Sequence, residues 1–153
     1  MERLKQILRH LAAGFRAHAI TKQPPRKVLV VDDDGATRQF LSMVLEAAGY
    51  QTTVSADGPD ALVAWQDNGP FDAIVTDVMM PQMRGYELAR RVRQIQPDIK
   101  VLYVTGYSEA LFAEKPRLWE HEAFLEKPCS PEGVLQALSG LEEPRLRHKA
   151  VWS

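Results

Sequence analysis

One cysteine, Cys129, stands among 153 residues, so no disulfide can form within the chain and the fold must rest on buried apolar surface. A reducing, cytoplasmic setting is the simpler expectation. No apolar stretch reaches the roughly 18 residues of a membrane span. Lys, Arg and His interrupt the apolar positions near the start, which argues against a secretory signal. Charge of one sign is also missing. The formal net charge is −1 and 45% of residues are hydrophobic, as in an ordinary soluble globular protein rather than a disordered or nucleic-acid-seeking one. The balance is uneven along the chain, because residues 1–27 carry Arg3, Lys5, Arg9, Arg16, Lys22, Arg26 and Lys27 against Glu2 alone.

In that basic start, Leu4, Ile7, Leu8, Leu11 and Phe15 recur at three- and four-residue steps, which predicts an amphipathic helix from Glu2 to about Ala19 with a basic opposite face. Pro24-Pro25 ends the segment and forms an extended link, giving a first unit over residues 1–25. The helix either packs on its own domain or on a twin in a homodimer, or docks on an acidic partner or a membrane surface.

From residue 26 strands and helices alternate. Val28–Val31, Tyr50–Ser55, Ile74–Thr76, Lys100–Val104 and Phe124-Leu125 read as strands. Helices are expected over Gly35–Ala48, Pro59–Asp67, Gly85–Gln94, a short stretch from Ser108 to Pro116, and Ser130 to about Leu141. Leu88, Ala89, Val92 and Ile95 are expected to face inward, and Trp65 and Met43 to be core. Asp34 and Ser130 are candidate N-caps, and Gly49 a C-terminal stop. This order predicts an α/β domain over 26–142, a doubly wound parallel sheet of five strands with five helices, followed by a tail over 143–153.

A parallel sheet opens at the carboxyl ends of its strands. There the sequence places Asp32-Asp33-Asp34 after the first strand, Asp77 after the third, Thr105-Gly106 after the fourth and Glu126-Lys127-Pro128 after the fifth. Capping explains Asp34 but not the other strand ends. An aspartate can act as a covalent nucleophile towards phosphorus, and Asp77 fits that role. An anionic phosphoryl donor would be repelled by Asp32, Asp33 and Asp77 unless a hard divalent cation, Mg²⁺ (or Mn²⁺), neutralised them. Lys127 supplies a fixed counter-charge, and Thr105 a hydroxyl for the product oxygen.

With Asp32-Asp33, Asp77 within Val75-Thr76-Asp77-Val78-Met79-Met80-Pro81, Thr105-Gly106 and Lys127-Pro128 in order, the stretch from about Lys27 to Leu141 resembles the receiver domain of two-component response regulators. The resemblance implies a flavodoxin-like fold with strand order 2-1-3-4-5. It implies that Asp77 accepts a phosphoryl group from a histidine kinase or a histidine phosphotransfer protein. Asp33 and Asp77 would bind the metal directly, Asp32 partly through water, and Met79 through its backbone carbonyl. Phe124 would fill the space vacated when Thr105 moves, so that helix 4, strand 5 and helix 5 of the domain present a changed surface to a downstream protein. Met79 and Tyr107 occupy the positions that tune water attack on the acyl phosphate. Both are bulky, and neither is an acid or amide, so slow self-dephosphorylation is expected.

Cys129 stands where that family more usually has a larger residue, and it reads as a small apolar filler rather than a reactive thiol. The dozen residues after the last helix are too few for a DNA-binding or catalytic output domain. The expectation is a single-domain, non-enzymatic response regulator. Its alternatives are a relay or receiver fragment of a hybrid histidine kinase, and a phosphorylation-independent scaffold presenting the N-terminal helix. A phosphoryl-carrying role for His10 or His18 is disfavoured, because one short helix cannot build the bundle such a histidine needs.

Overall fold

Strands buried on both faces need apolar side chains at every position, and that is what three of the five runs supply. The computed structural model describes residues 2–16 and 26–142. Its strands are β1 (Lys27–Val31), β2 (Gln51–Ser55), β3 (Ala73–Thr76), β4 (Lys100–Thr105) and β5 (Glu122–Glu126), all parallel, in the order β2-β1-β3-β4-β5. All of β3, and all but the first residue of β1 and β4, are buried. The edge strands β2 and β5 are only partly covered.

The helices are α1 (Glu2–Arg16), α2 (Gly35–Ala47), α3 (Gly58–Asn68), α4 (Gly85–Ile95), α5 (Ser108–Glu114) and α6 (Pro131–Glu142). Alternation along the strands sorts them into two layers. Val28, Val30, Val75, Leu102 and Val104 pack under α2 and α6. Leu29, Val31, Ile74, Val101 and Tyr103 pack under α3, α4 and α5. Each such buried Val, Leu or Ile contributes about 1.5–3 kcal/mol, so the two layers together hold the sheet edge rigid.

Local signals act as read. The Asp34 carboxylate accepts from the Thr37 N–H at 3.1 Å and the Ser130 hydroxyl from the Gly133 N–H at 3.0 Å, while Gly49 ends α2 at a φ of 96°. Leu8 of α1 is buried with the α2 and α6 cluster, so α1 packs on its own domain. Leu4 and Ile7 stay exposed.

Three expectations need correction. Ile95, the last residue of α4, is 69% exposed, whereas Leu88, Ala89 and Val92 of the same helix are buried. Met43 is half-buried against α1 rather than core, whereas Trp65 is buried. The fifth strand begins at Glu122, earlier than its apolar run. The end of the expected first helix at Ala19, the Pro24-Pro25 link, His18, the side chain of His10, and the tail over 143–153 lie outside the described residues. Among the described residues no helix is long and apolar enough to cross a membrane.

Candidate functional site

Three backbone hydrogen bonds continue the sheet one residue past its strands and thereby fix the site. Asp32 N–H donates to Ser55 O at 3.2 Å, Asp77 N–H to Val31 O at 2.9 Å, and Lys127 N–H to Thr105 O at 2.9 Å. Each residue that ends a strand is thus tied to the end of a neighbouring strand. Asp32, Asp77 and Lys127 are brought to one sheet edge.

Their side chains meet. The Lys127 Nζ lies 2.8 Å from Asp32 Oδ2 and 3.3 Å from Asp77 Oδ2. Asp32 is fully buried and Asp77 nearly so, while Asp33 is exposed. Asp32 Oδ1 also accepts from the Asp34 N–H at 2.9 Å, and its carbonyl accepts from Arg38 Nη1 at 2.7 Å. Asp77 Oδ1 accepts from the Val78 N–H at 2.7 Å, and the Thr76 hydroxyl donates to the Asp77 carbonyl at 2.8 Å. Burial is the largest influence on Asp32 and, with the charge of Asp77, raises its pKa despite the hydrogen bonds from Lys127 and Asp34. Burial works against the Lys127 ammonium, but the hydrogen bond to Asp32 and the two carboxylate charges outweigh it, so its pKa lies above the ordinary lysine value.

One carboxylate oxygen from each of Asp32, Asp33 and Asp77 lies within 4.8 Å of the others. Three carboxylates face one ammonium, which leaves two negative charges uncompensated, the charge of one divalent cation. Asp33 has no hydrogen-bond or ionic partner among the described residues, so its oxygens are available as ligands. An all-oxygen donor set of this charge fits Mg²⁺.

The remaining residues singled out by sequence sit around this cluster. Thr105 is buried at the end of β4, two residues beyond Tyr103, whose partner on β3 is Thr76; its Oγ1 accepts from the Tyr107 N–H at 3.0 Å. Met79 is half-buried in the turn after Asp77, and Tyr107 is two-thirds exposed. Phe124 pairs with Tyr103, is partly exposed, and meets the ring of Phe112 on α5 edge-on at 4.9 Å between centroids. Cys129 packs into the α2 and α6 layer, and burial pushes its thiol pKa up, as suits a filler.

Two features of the surroundings were not anticipated. Gly85 begins α4 against the back of the site: its N–H donates to Val78 O at 2.9 Å, and a Cβ there would fall 2.0 Å from the Asp77 carbonyl oxygen. Glu122 is a buried carboxylate at the other end of β5, bound by Arg93 at 2.7 Å, Lys115 at 2.8 Å, the Tyr103 hydroxyl at 3.0 Å and the Trp119 N–H at 2.7 Å. Only the rarity of a charged residue beside an apolar run hinted at the second. Nothing in the sequence marked the first.

Comparison with known proteins bears on the family and the fold. Residues 28–139 match the model of the response regulator receiver domain. The chain is 41% identical over 83 residues to the response regulator receiver protein CpdR of Brucella abortus, covering 54% of this chain and 68% of that one. It is 38% identical over 104 residues to the sensor kinase CckA of the same organism, covering 67% of this chain but only 11% of the kinase. Among solved structures, the response regulator TrrA of Thermotoga maritima in complex with Mg²⁺ and BeF superposes with a TM-score of 0.66 at 26% identity, over 76% of this chain and 98% of that one. The chain belongs to the response regulator receiver domain family.

Proposed function

We propose that this receiver, occupying residues 26–142, accepts a phosphoryl group on Asp77 from a histidine kinase or a histidine phosphotransfer protein and signals through a changed α5–β5–α6 surface. The observation that carries the reading is the convergence of Asp32, Asp33, Asp77 and Lys127 at one sheet edge, with Thr105 at the end of the adjacent strand. A carboxylate oxygen of Asp77 attacks phosphorus, the bond to the donor imidazole nitrogen breaks, and the leaving imidazole takes up a proton. Asp32, Asp33 and Asp77, with the Met79 carbonyl, would hold Mg²⁺. When bound, that ion supplies charge neutralisation and a bridge to phosphoryl oxygens.

The chain's own residues do the rest. Lys127 keeps its positive charge, because its pKa is raised, and steadies the transferring group. Phosphoryl oxygens at Asp77 accept from the Thr105 hydroxyl, whose oxygen takes the Tyr107 N–H, and draw it inward. Phe124, now half outside against Phe112, then has space to move towards β4, which alters the α5–β5 side. Met79 and Tyr107 are bulky and neither supplies an acid or amide to orient an attacking water, so the acyl phosphate is long-lived.

The likeness to a segment of a sensor kinase supports a second reading, in which the same chemistry relays the phosphoryl group onward to a histidine. Phosphoramidate, whose P–N bond imitates phosphohistidine, tests the acceptance step. Labelling that requires Mg²⁺ and disappears in Asp77→Asn supports it, and labelling elsewhere or none refutes it.

A further inference from the structure

On the α4 side of the molecule, away from α6, a cavity of about 590 Å³ lies between α4 and the turn that joins α5 to β5. Its size falls within the range of about 300–1,000 Å³ typical of small-molecule sites. Tyr86 and Arg90 stand on its helical wall, Arg117 and Trp119 on its loop wall, and Arg93 with Lys115 beside them. None of these residues is used by the phosphoryl chemistry.

The Trp119 indole is 53% exposed, unusual for so large an apolar ring, yet it is held firmly. Its backbone N–H donates to Glu122, and Arg93 and Lys115, both bound to the same carboxylate, lie 4.8 and 3.9 Å from its ring centre. A flat apolar surface is thus kept in place while half of it faces the cavity.

The cations around it are incompletely satisfied. Arg93 is nine-tenths buried; its Nη1 binds Glu122 while its Nη2 is buried with no hydrogen-bond partner. Arg117 has no partner among the described residues, and Arg90 reaches Glu87 only at 4.0 Å. Two carboxylates, Glu87 and Glu114, also line the cavity, so it is not a site for a simple polyanion.

We propose that this groove binds a nucleotide: the base stacks on Trp119, the phosphate is held by Arg117 and Arg90, and a carboxylate accepts from an amino group of the base. Each element follows from general chemistry. Bases stack on aromatic rings in a sequence-tolerant way, guanidinium groups match phosphate oxygens in pairs, and a carboxylate accepts from base amines. The length also suits, since α4 rises about 10 Å from Tyr86 to Arg93. An acidic peptide would have to pass Glu87 and Glu114 without any group to offer them.

The test uses the full chain labelled with ¹⁵N, following the Trp119 indole N–H on addition of GMP or AMP, with guanosine, inorganic phosphate and a hexaglutamate peptide added separately, and calorimetry on Arg117→Glu and Trp119→Ala. Both substitutions fall on exposed side chains outside the Glu122 ion pairs. The proposal expects a saturable shift with at least one nucleotide at a Kd below about a millimolar, weaker binding of guanosine and phosphate alone, and a loss of about tenfold or more in each variant. No saturable shift with either nucleotide, an equal response to inorganic phosphate, a response to hexaglutamate only, or unchanged affinity in both variants overturns it.

Discussion

Gly85 touches the backbone of Asp77 so closely that a Cβ on it would lie 2.0 Å from the Asp77 carbonyl oxygen. The start of α4 is thereby locked to the strand end that carries the Asp77 carboxylate, with the Gly85 N–H donating to Val78 O. Gly85→Ala has to push these backbones apart. We expect a loss of about 1–3 kcal/mol in urea unfolding, as for overpacking, together with slower phosphorylation. Unchanged values of both would show that the loop is not held in this way.

Asp32→Asn separates the metal site from the fold. Removing this carboxylate removes a charge that burial disfavours and that Asp77 repels, so metal-free stability should hold or rise, while Mg²⁺ affinity falls by about tenfold or more. Thermal unfolding with and without Mg²⁺ reads both. A variant as strongly stabilised by Mg²⁺ as the native chain would remove Asp32 from the site.

Glu122 should matter to stability and not to phosphoryl chemistry. Burial raises its pKa, but the hydrogen bonds from Lys115, the Trp119 N–H and Arg93, with the charge of Arg93, together bring it below the ordinary glutamate value. An acid whose folded pKa is depressed contributes stability above its unfolded pKa and loses it as pH falls through the folded value. Glu122→Gln is expected to cost about 3–5 kcal/mol at pH 7, because two cations lose their buried partner. The cost should shrink as the pH falls from the ordinary glutamate value of about 4.3 through the lower folded value, where the native carboxylate is itself protonated. Urea midpoints at the two pH values decide; a cost that stays constant with pH contradicts the assignment.

The strand ends, the caps and the carboxylate cluster were all legible in the sequence, because each follows from a local signal. Asp34 caps the helix it precedes, Asp32 and Asp77 end runs apolar enough to be buried strands, and Lys127 follows the short apolar run of the edge strand β5. What was not legible depends on neighbours distant in the chain. Helical periodicity turned Ile95 inward, but periodicity does not say where the packed face of a helix ends, and Ile95 is its last residue. Glu122 was missed because a charged residue looks like a strand boundary until Arg93 and Lys115 are seen to surround it. The need for glycine at position 85 comes from the approach of a strand end eight residues earlier.

Phe124→Ala should uncouple acceptance from output. The edge-on contact with Phe112 is lost, but no group near Asp77 changes. Phosphorylation should therefore proceed at the native rate, while the phosphorylation-dependent change in amide exchange over α5, β5 and α6 is reduced. A full change in that exchange would exclude Phe124 from the switch.

The lifetime of the phosphorylated protein tests the roles of Met79 and Tyr107. Met79→Glu supplies a carboxylate that can orient water, and is expected to speed loss of phosphate by about tenfold, or ~1.4 kcal/mol in barrier. The native protein should hold its phosphate for minutes or longer. Decay within seconds, or no acceleration in the variant, would contradict the reading.

Intact mass after exposure to acetyl phosphate tests the central claim most directly. The native chain in Mg²⁺ should gain the mass of one phosphoryl group, and should gain none when the metal is chelated or when Asp77 is replaced by Asn. An equal gain in Asp77→Asn, or no gain in the native chain with Mg²⁺ present, would contradict the assignment of Asp77 as the phosphoryl acceptor.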